Sequence, residues 1–149
     1  MDATGQSVTC RCGAVRITVR GAPLSTGICH CSGCQAMTSS AFSVGALYHQ
    51  DAVEITGDLV PAGLKGAQNH LACADCLSWM VTKFAAMGPI VNVHSTQLAA
   101  LSDRPPFIET WTDERLPWVE TGATHSFAGF PPEADFPALL AEYAGERTD

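Results

Sequence analysis

The sequence predicts a mainly β chain with short helices, and three observations carry that expectation. Apolar and polar residues alternate with a period of two, as where Val15, Ile17 and Val19 interleave with Arg16, Thr18 and Arg20. Similar short apolar runs recur along the chain, separated by glycine, proline and polar turns. Only one segment, near the C-terminus, has the spacing of a longer helix.

Taken in order, SVTCRCGAVRITVRG reads as two strands about a tight corner, with Gly13 free to take a positive φ. GICHC continues as a short strand. SGCQAMTSS starts a brief helix, with Ser32 as its N-cap and Cys34 in its first turn, where the dipole favours a thiolate. AFSVGALYH and AVEITG are strands on either side of a turn at Gln50 and Asp51. The glycine-rich stretch 57–66 reads as a connection, and AQNHLACADC as a strand running into a second cysteine corner. WMVTKF, PIVNVH and FIETW complete the strands. The last element is a helix over about 135–144, with Asp135 as N-cap, Pro137 in the first turn and Gly145 as the stop. Phe136, Leu139, Leu140 and Tyr143 share one of its faces. No repeat or low-complexity linker divides the 149 residues, so 1–149 reads as a single domain.

Composition narrows the function classes. Apolar residues make up 46% and charged residues 15%, the balance of a globular chain. The formal charge is −7, from 8 basic and 15 acidic side chains, so no basic footprint for nucleic acid or an anionic membrane is present. MDATGQSVTC lacks the basic and apolar regions of a secretory signal, and no apolar run approaches the roughly 18 residues of a membrane span. A cytoplasmic protein is expected.

The seven cysteines carry the chemistry. They fall into Cys10-x-Cys12, Cys29-x-Cys31-x-x-Cys34 and Cys73-x-x-Cys76, with none later. An odd count and tight spacing without an export signal point to metal rather than to a disulfide framework. Zinc takes four ligands in a tetrahedron, and each corner offers two sulfurs from one turn. Seven thus divide into a closed set of four and an open set of three. Spacing alone favours Cys31 and Cys34 with Cys73 and Cys76, in the manner of a zinc ribbon. The other division joins Cys10 and Cys12 to Cys73 and Cys76 and leaves Cys29, Cys31 and Cys34 together. Spacing does not choose between them.

CRCGAVRITVRG, CHCSGC, CADC and, after a tryptophan, DERLPWVE occur in an order that resembles the glutathione-dependent formaldehyde-activating enzymes, a family that includes centromere-protein-V-like proteins. The resemblance is strongest over 6–120. It implies a β-tent fold, like that of Rab exchange factors, with a structural zinc on Cys10, Cys12, Cys73 and Cys76. It implies a second, labile, substrate-facing zinc on Cys29, Cys31 and Cys34, whose fourth ligand is the substrate's own sulfur. The implied reaction joins glutathione to formaldehyde or a related aldehyde as S-hydroxymethylglutathione, with the metal as thiol activator and template. Cleavage in reverse makes this a carbon–sulfur lyase. Arg11, Arg16, Arg20, Lys65 and Lys83 are candidate cations for the anionic thiol. The family usually has an aromatic residue before its C-x-x-C and glycine after it; here Ala72 and Leu77 stand there, and Leu77 should disfavour a left-handed turn.

Blander roles are expected elsewhere. Strand alternation points His30 away from the flanking thiols. His49, His70, His94 and His125 read as lone surface or core residues, and Trp79, Trp111 and Trp118 as core or cavity wall. Asp113 and Glu114 read as a solvated turn, and Ser39 and Ser40 have no partner for nucleophilic catalysis. A non-catalytic zinc-binding or chaperone-like module is the competing class, since fold alone does not confer function. The additional Cys29-Cys31-Cys34 triplet argues against it. Methionine-sulfoxide reductase chemistry, on a shared fold, needs a later cysteine that the chain lacks.

Overall fold

The computed structural model describes residues 5–63 and 68–147. Its strands are β1 (Gln6–Thr9), β2 (Arg16–Val19), β3 (Ser25–Cys29), β4 (Ser43–His49), β5 (Val53–Thr56) and β6 (Leu59–Ala62). They continue as β7 (Gln68–Cys73), β8 (Trp79–Phe84), β9 (Ile90–Val93), β10 (Ile108–Thr110) and β11 (His125–Ser126). The helices are α1 (Ser32–Thr38), α2 (Ala99–Ser102) and α3 (Phe136–Glu146). The chain is thus mainly β with few, short helices.

Two sheets form. The smaller has the order β1-β2-β5, and the larger β11-β10-β3-β4-β9-β8-β7-β6. Hairpin neighbours are antiparallel, whereas β10 lies parallel to both β3 and β11. The β1–β2 corner closes with Cys10 N–H donating to Val15 O at 3.0 Å, and Gly13 takes the expected positive φ of 82°.

Period-two alternation gives the large sheet two different faces. On β4 and β9, Ala46, Tyr48, Val91 and Val93 pack with Val8, Ile17 and Val19 of the small sheet and Val15 of its β1–β2 corner into the main core. The intervening Gly45, Leu47 and Asn92 face a cavity on the other side. On β8 the phase changes. Leu71 pairs with Val81 but Ala72 with Trp79, so Met80 is an extra residue in a bulge. Trp79 and Thr82 both line the cavity as a result, while Met80 and Val81 enter the core. A second cluster of Phe107, Ile108, Leu139 and Tyr143 docks α3 beside β10.

Several expectations are corrected. Stretch 57–66 is more than a connection, because β6 runs through it as an edge strand that tolerates Pro61. Ser32 does not cap α1; Cys31 does, its sulfur accepting from Cys34 N–H. Asp135 stands at the N-cap position of α3 as expected, but it makes no side-chain cap bond. Gly145 lies inside the last turn of α3, which continues to Glu146. Trp118 is neither core nor wall, being 74% exposed.

Candidate active site and metal centres

The β1–β2 corner and the β7–β8 corner meet, and their four thiols converge. The sulfurs of Cys10, Cys12, Cys73 and Cys76 all lie within 4.8 Å of one another. Cys10 to Cys12 is 3.6 Å and Cys12 to Cys73 is 3.8 Å. Sulfurs about 2.3 Å from one zinc stand about 3.8 Å apart at the corners of a tetrahedron, so the spacing fits that ion. The backbone N–H of Val15 donates to Cys10 Sγ at 3.2 Å and lowers that thiol's pKa, and the N–H of Cys76 donates to Cys73 Sγ at 3.5 Å. The Ser78 hydroxyl, 3.1 Å from Cys76 Sγ, leads the hydrogen bonds that hold that thiol down at about 5. Leu77 takes a left-handed φ of 60° after all. Its N–H donates to Cys73 O at 2.9 Å, so the corner keeps its turn despite the Cβ.

The second group assembles locally. Cys29 ends β3, Cys31 caps α1 and Cys34 lies in its first turn, with the three sulfurs within 4.8 Å of each other. Among the described residues no histidine, aspartate or glutamate joins them. The Cys34 thiol, hydrogen-bonded to Cys29, holds Cys29 down at about 5, and that bond in turn pushes Cys34 up. Burial pushes Cys31 up as well. Unaided, the trio therefore favours a single thiolate, and a bound cation is what would let more than one ionise. The donor set suits zinc with an open position.

His30 is fully buried and turned away, its Nε2 2.7 Å from Glu109 Oε2. Glu114 does more than meet solvent. Its Oε1 accepts from Ser32 N–H at 3.2 Å, while Gln35 Nε2 donates to Glu114 O and His30 O, fastening the start of α1.

The three-cysteine group opens into a cavity of about 170 Å³. Trp79, Phe84, Trp111, Phe130 and Phe136 contribute to its walls, and none of its described lining residues is an aspartate, glutamate, lysine or arginine. The candidate cations are not brought there. Arg16, Arg20 and Lys83 do not line it, Arg11 lines a separate, shallower pocket, and Lys65 lies outside the described residues. The histidines divide. His49 and His125 are near-surface partners of Asp51 and Glu142. His70 and His94 are not lone residues, because both line the cavity and meet through Thr82, at 2.9 and 2.8 Å. The signal for that trio is the register across β7, β8 and β9, which no linear spacing displays.

Residues 5–114 match the family described as "Glutathione-dependent formaldehyde-activating enzyme". A protein from Rhodobacter sphaeroides of known crystal structure is similar in fold, with a TM-score of 0.52 and 21% identity over 62% of this chain and 87% of that one. No curated protein matches the chain. With the family match spanning most of the chain, both corners of the four-thiol cluster and all of the three-thiol cluster, the protein belongs to the glutathione-dependent formaldehyde-activating enzyme family.

Proposed function

We propose that the protein is a zinc-dependent carbon–sulfur lyase that joins the thiol of glutathione to formaldehyde or a related aldehyde. The observation that carries this reading is the three-sulfur group without a fourth protein ligand among the described residues, opening into an aromatic cavity. Cys29, Cys31 and Cys34 would hold the substrate-facing zinc, and Cys10, Cys12, Cys73 and Cys76 the structural one. A zinc held by the three cysteines supplies a lowered thiol pKa and a fixed position for the sulfur. The cavity excludes water around the reacting carbon, and its lining, without carboxylate, lysine or arginine, takes the sulfur end of the thiol while glutathione's carboxylates stay at the solvent rim. The reading extends to one domain of the β-tent type working in the cytoplasm, where thiols stay reduced.

Zinc content measured with and without glutathione tests the proposal, together with the Cys31→Ser variant. Wild type is expected to hold two zinc ions, the second more easily chelated. After cobalt substitution, added glutathione should strengthen the sulfur-to-metal charge-transfer absorption. Cys31→Ser should lose one metal, the thiol response and aldehyde turnover while staying folded. A cobalt spectrum indifferent to glutathione, with aldehyde consumption at the uncatalysed rate, leaves a zinc-binding module instead.

A further inference from the structure

The cavity holds polar chemistry that the thiol cluster does not use. His70 of β7, Thr82 of β8 and Asn92 of β9 stand in one cross-strand row and line the same space. His94 follows β9, with its Nδ1 2.8 Å from Val44 O. A carbonyl only accepts, so His94 Nδ1 carries a proton. Burial brings the His94 pKa down to about 4, so the ring is neutral at pH 7 and its Nε2 is an acceptor. The Thr82 hydroxyl, 2.8 Å away, therefore donates to His94 Nε2. Its oxygen in turn accepts from His70 Nδ1–H at 2.9 Å. The chain of donors runs one way and ends on His70, whose Nε2 is left as the lone-pair nitrogen.

His70 and the three cysteines line one cavity, and two further features surround the imidazole. Trp79 packs against both histidines, with ring centroids 5.1 Å from His70 and 3.9 Å from His94. Its buried Nε1–H has no partner among the described residues. Met37 lies one helical turn beyond Cys34 on α1. A Cβ built on Gly63 would stand 2.8 Å from Met37 Sδ and 3.1 Å from His70 Cδ2, so Met37, on the helix that carries Cys34, and the His70 imidazole flank the same glycine.

We propose that His70 is the proton-transfer residue of this cavity, held in its Nδ1–H tautomer by Thr82 and His94. The role rests on the thiol–aldehyde reading and deepens it. The thiol S–H bond breaks and its proton passes to His70 Nε2. The sulfur electron pair forms the carbon–sulfur bond, and the carbonyl π pair moves onto oxygen. That oxygen takes the proton back from Nε2, so one S–H bond and one C=O π bond become one C–S and one O–H bond with no oxidant or reductant. Thr82 and His94 are positioning residues. Among the described residues that contact the ring, Thr82 and Trp79 carry no charge, and His94, reached through Thr82, is titratable. Burial lowers the His70 pKa from its ordinary 6.5. The ring is thus a free base at neutral pH, and turnover should fall as pH drops through the lowered value.

Nitrogen-15 spectra of the histidine rings test the tautomer without any reaction. In the zinc-loaded wild type, His70 should show a protonated Nδ1 and an unprotonated Nε2, and Thr82→Val should mix the two tautomers. His70→Gln tests the role. Zinc content and the cobalt response to glutathione should be unchanged, while kcat falls about 100-fold or more and the acid limb of the pH profile disappears. A wild-type His70 protonated at Nε2, or a His70→Gln protein with unaltered kcat and profile, overturns the role alone. A wild type that leaves glutathione and formaldehyde unreacted overturns the reaction reading and the role with it.

Discussion

Leu77 shows what one residue can cost at a cysteine corner. It is 68% exposed and takes a left-handed φ of 60°, a conformation that crowds its Cβ against the backbone. The turn persists because the Cys73 carbonyl and the neighbouring thiols determine it together. An exposed side chain recovers little of that strain through packing. Leu77→Gly in the zinc-loaded protein should therefore raise stability by about 1 kcal/mol, glycine's greater freedom in the unfolded chain offsetting part of the gain. The check is a higher urea midpoint at unchanged m-value. A lower midpoint would mean that Leu77 makes stabilising contacts that its exposure conceals.

At the scale of elements, β10 is held as much by one side chain as by its ladder. Glu109 is 4% exposed and accepts from Ser126 at 2.6 Å and Thr121 at 2.9 Å, with His30 Nε2 at 2.7 Å. Burial alone would raise its pKa, but the bonds from Ser126, His30 and Thr121 outweigh that and hold it below its ordinary 4.5. A carboxyl depressed in the folded state stabilises above its unfolded pKa, and that contribution is lost as pH falls through the folded value. Glu109→Gln should cost about 3 kcal/mol at pH 7. The gap from wild type should narrow progressively below pH 4.5, as followed by denaturant melts across the acid range. A gap that does not change with pH would show that shape and not charge sets the requirement. The bulge at Met80 belongs to the same scale. The apolar start of WMVTKF identifies β8 as a strand, but the extra residue that turns Trp79 toward the cavity depends on its pairing with β7.

For the molecule as a whole, the four-sulfur cluster joins segments far apart in the chain. Cys12 and Cys73, 61 positions apart, bring the first hairpin onto the β7–β8 corner. Structural zinc contributes on the order of 10 kcal/mol in small zinc peptides, comparable to a typical domain's whole margin of stability. Cys73→Ser should therefore lose its cooperative thermal transition and its β-sheet circular dichroism, in contrast to a folded Cys31→Ser. A Cys73→Ser protein with an unchanged melting temperature would remove the structural role from this cluster.

The sequence by itself determined what is local. Alternation places β2 because half-buried strands have a period of two, short apolar runs between turns place most other strands, and Gly13 marks a turn that needs positive φ. The Cys29-x-Cys31-x-x-Cys34 trio is within reach of its own cap and first helical turn, so its assembly needs little from the rest of the chain. Which corner completes the other cluster was not local. Spacing favoured Cys31 and Cys34 with Cys73 and Cys76, and only the packing of the two sheets brings Cys10 and Cys12 to Cys73 and Cys76 instead. β6 was hidden by the glycines and proline around it, since an edge strand can form by pairing with one neighbour. The His70–Thr82–His94 chain was invisible for a similar reason. Each member looks ordinary alone, and its chemistry arises from cross-strand register and burial, which tertiary structure decides.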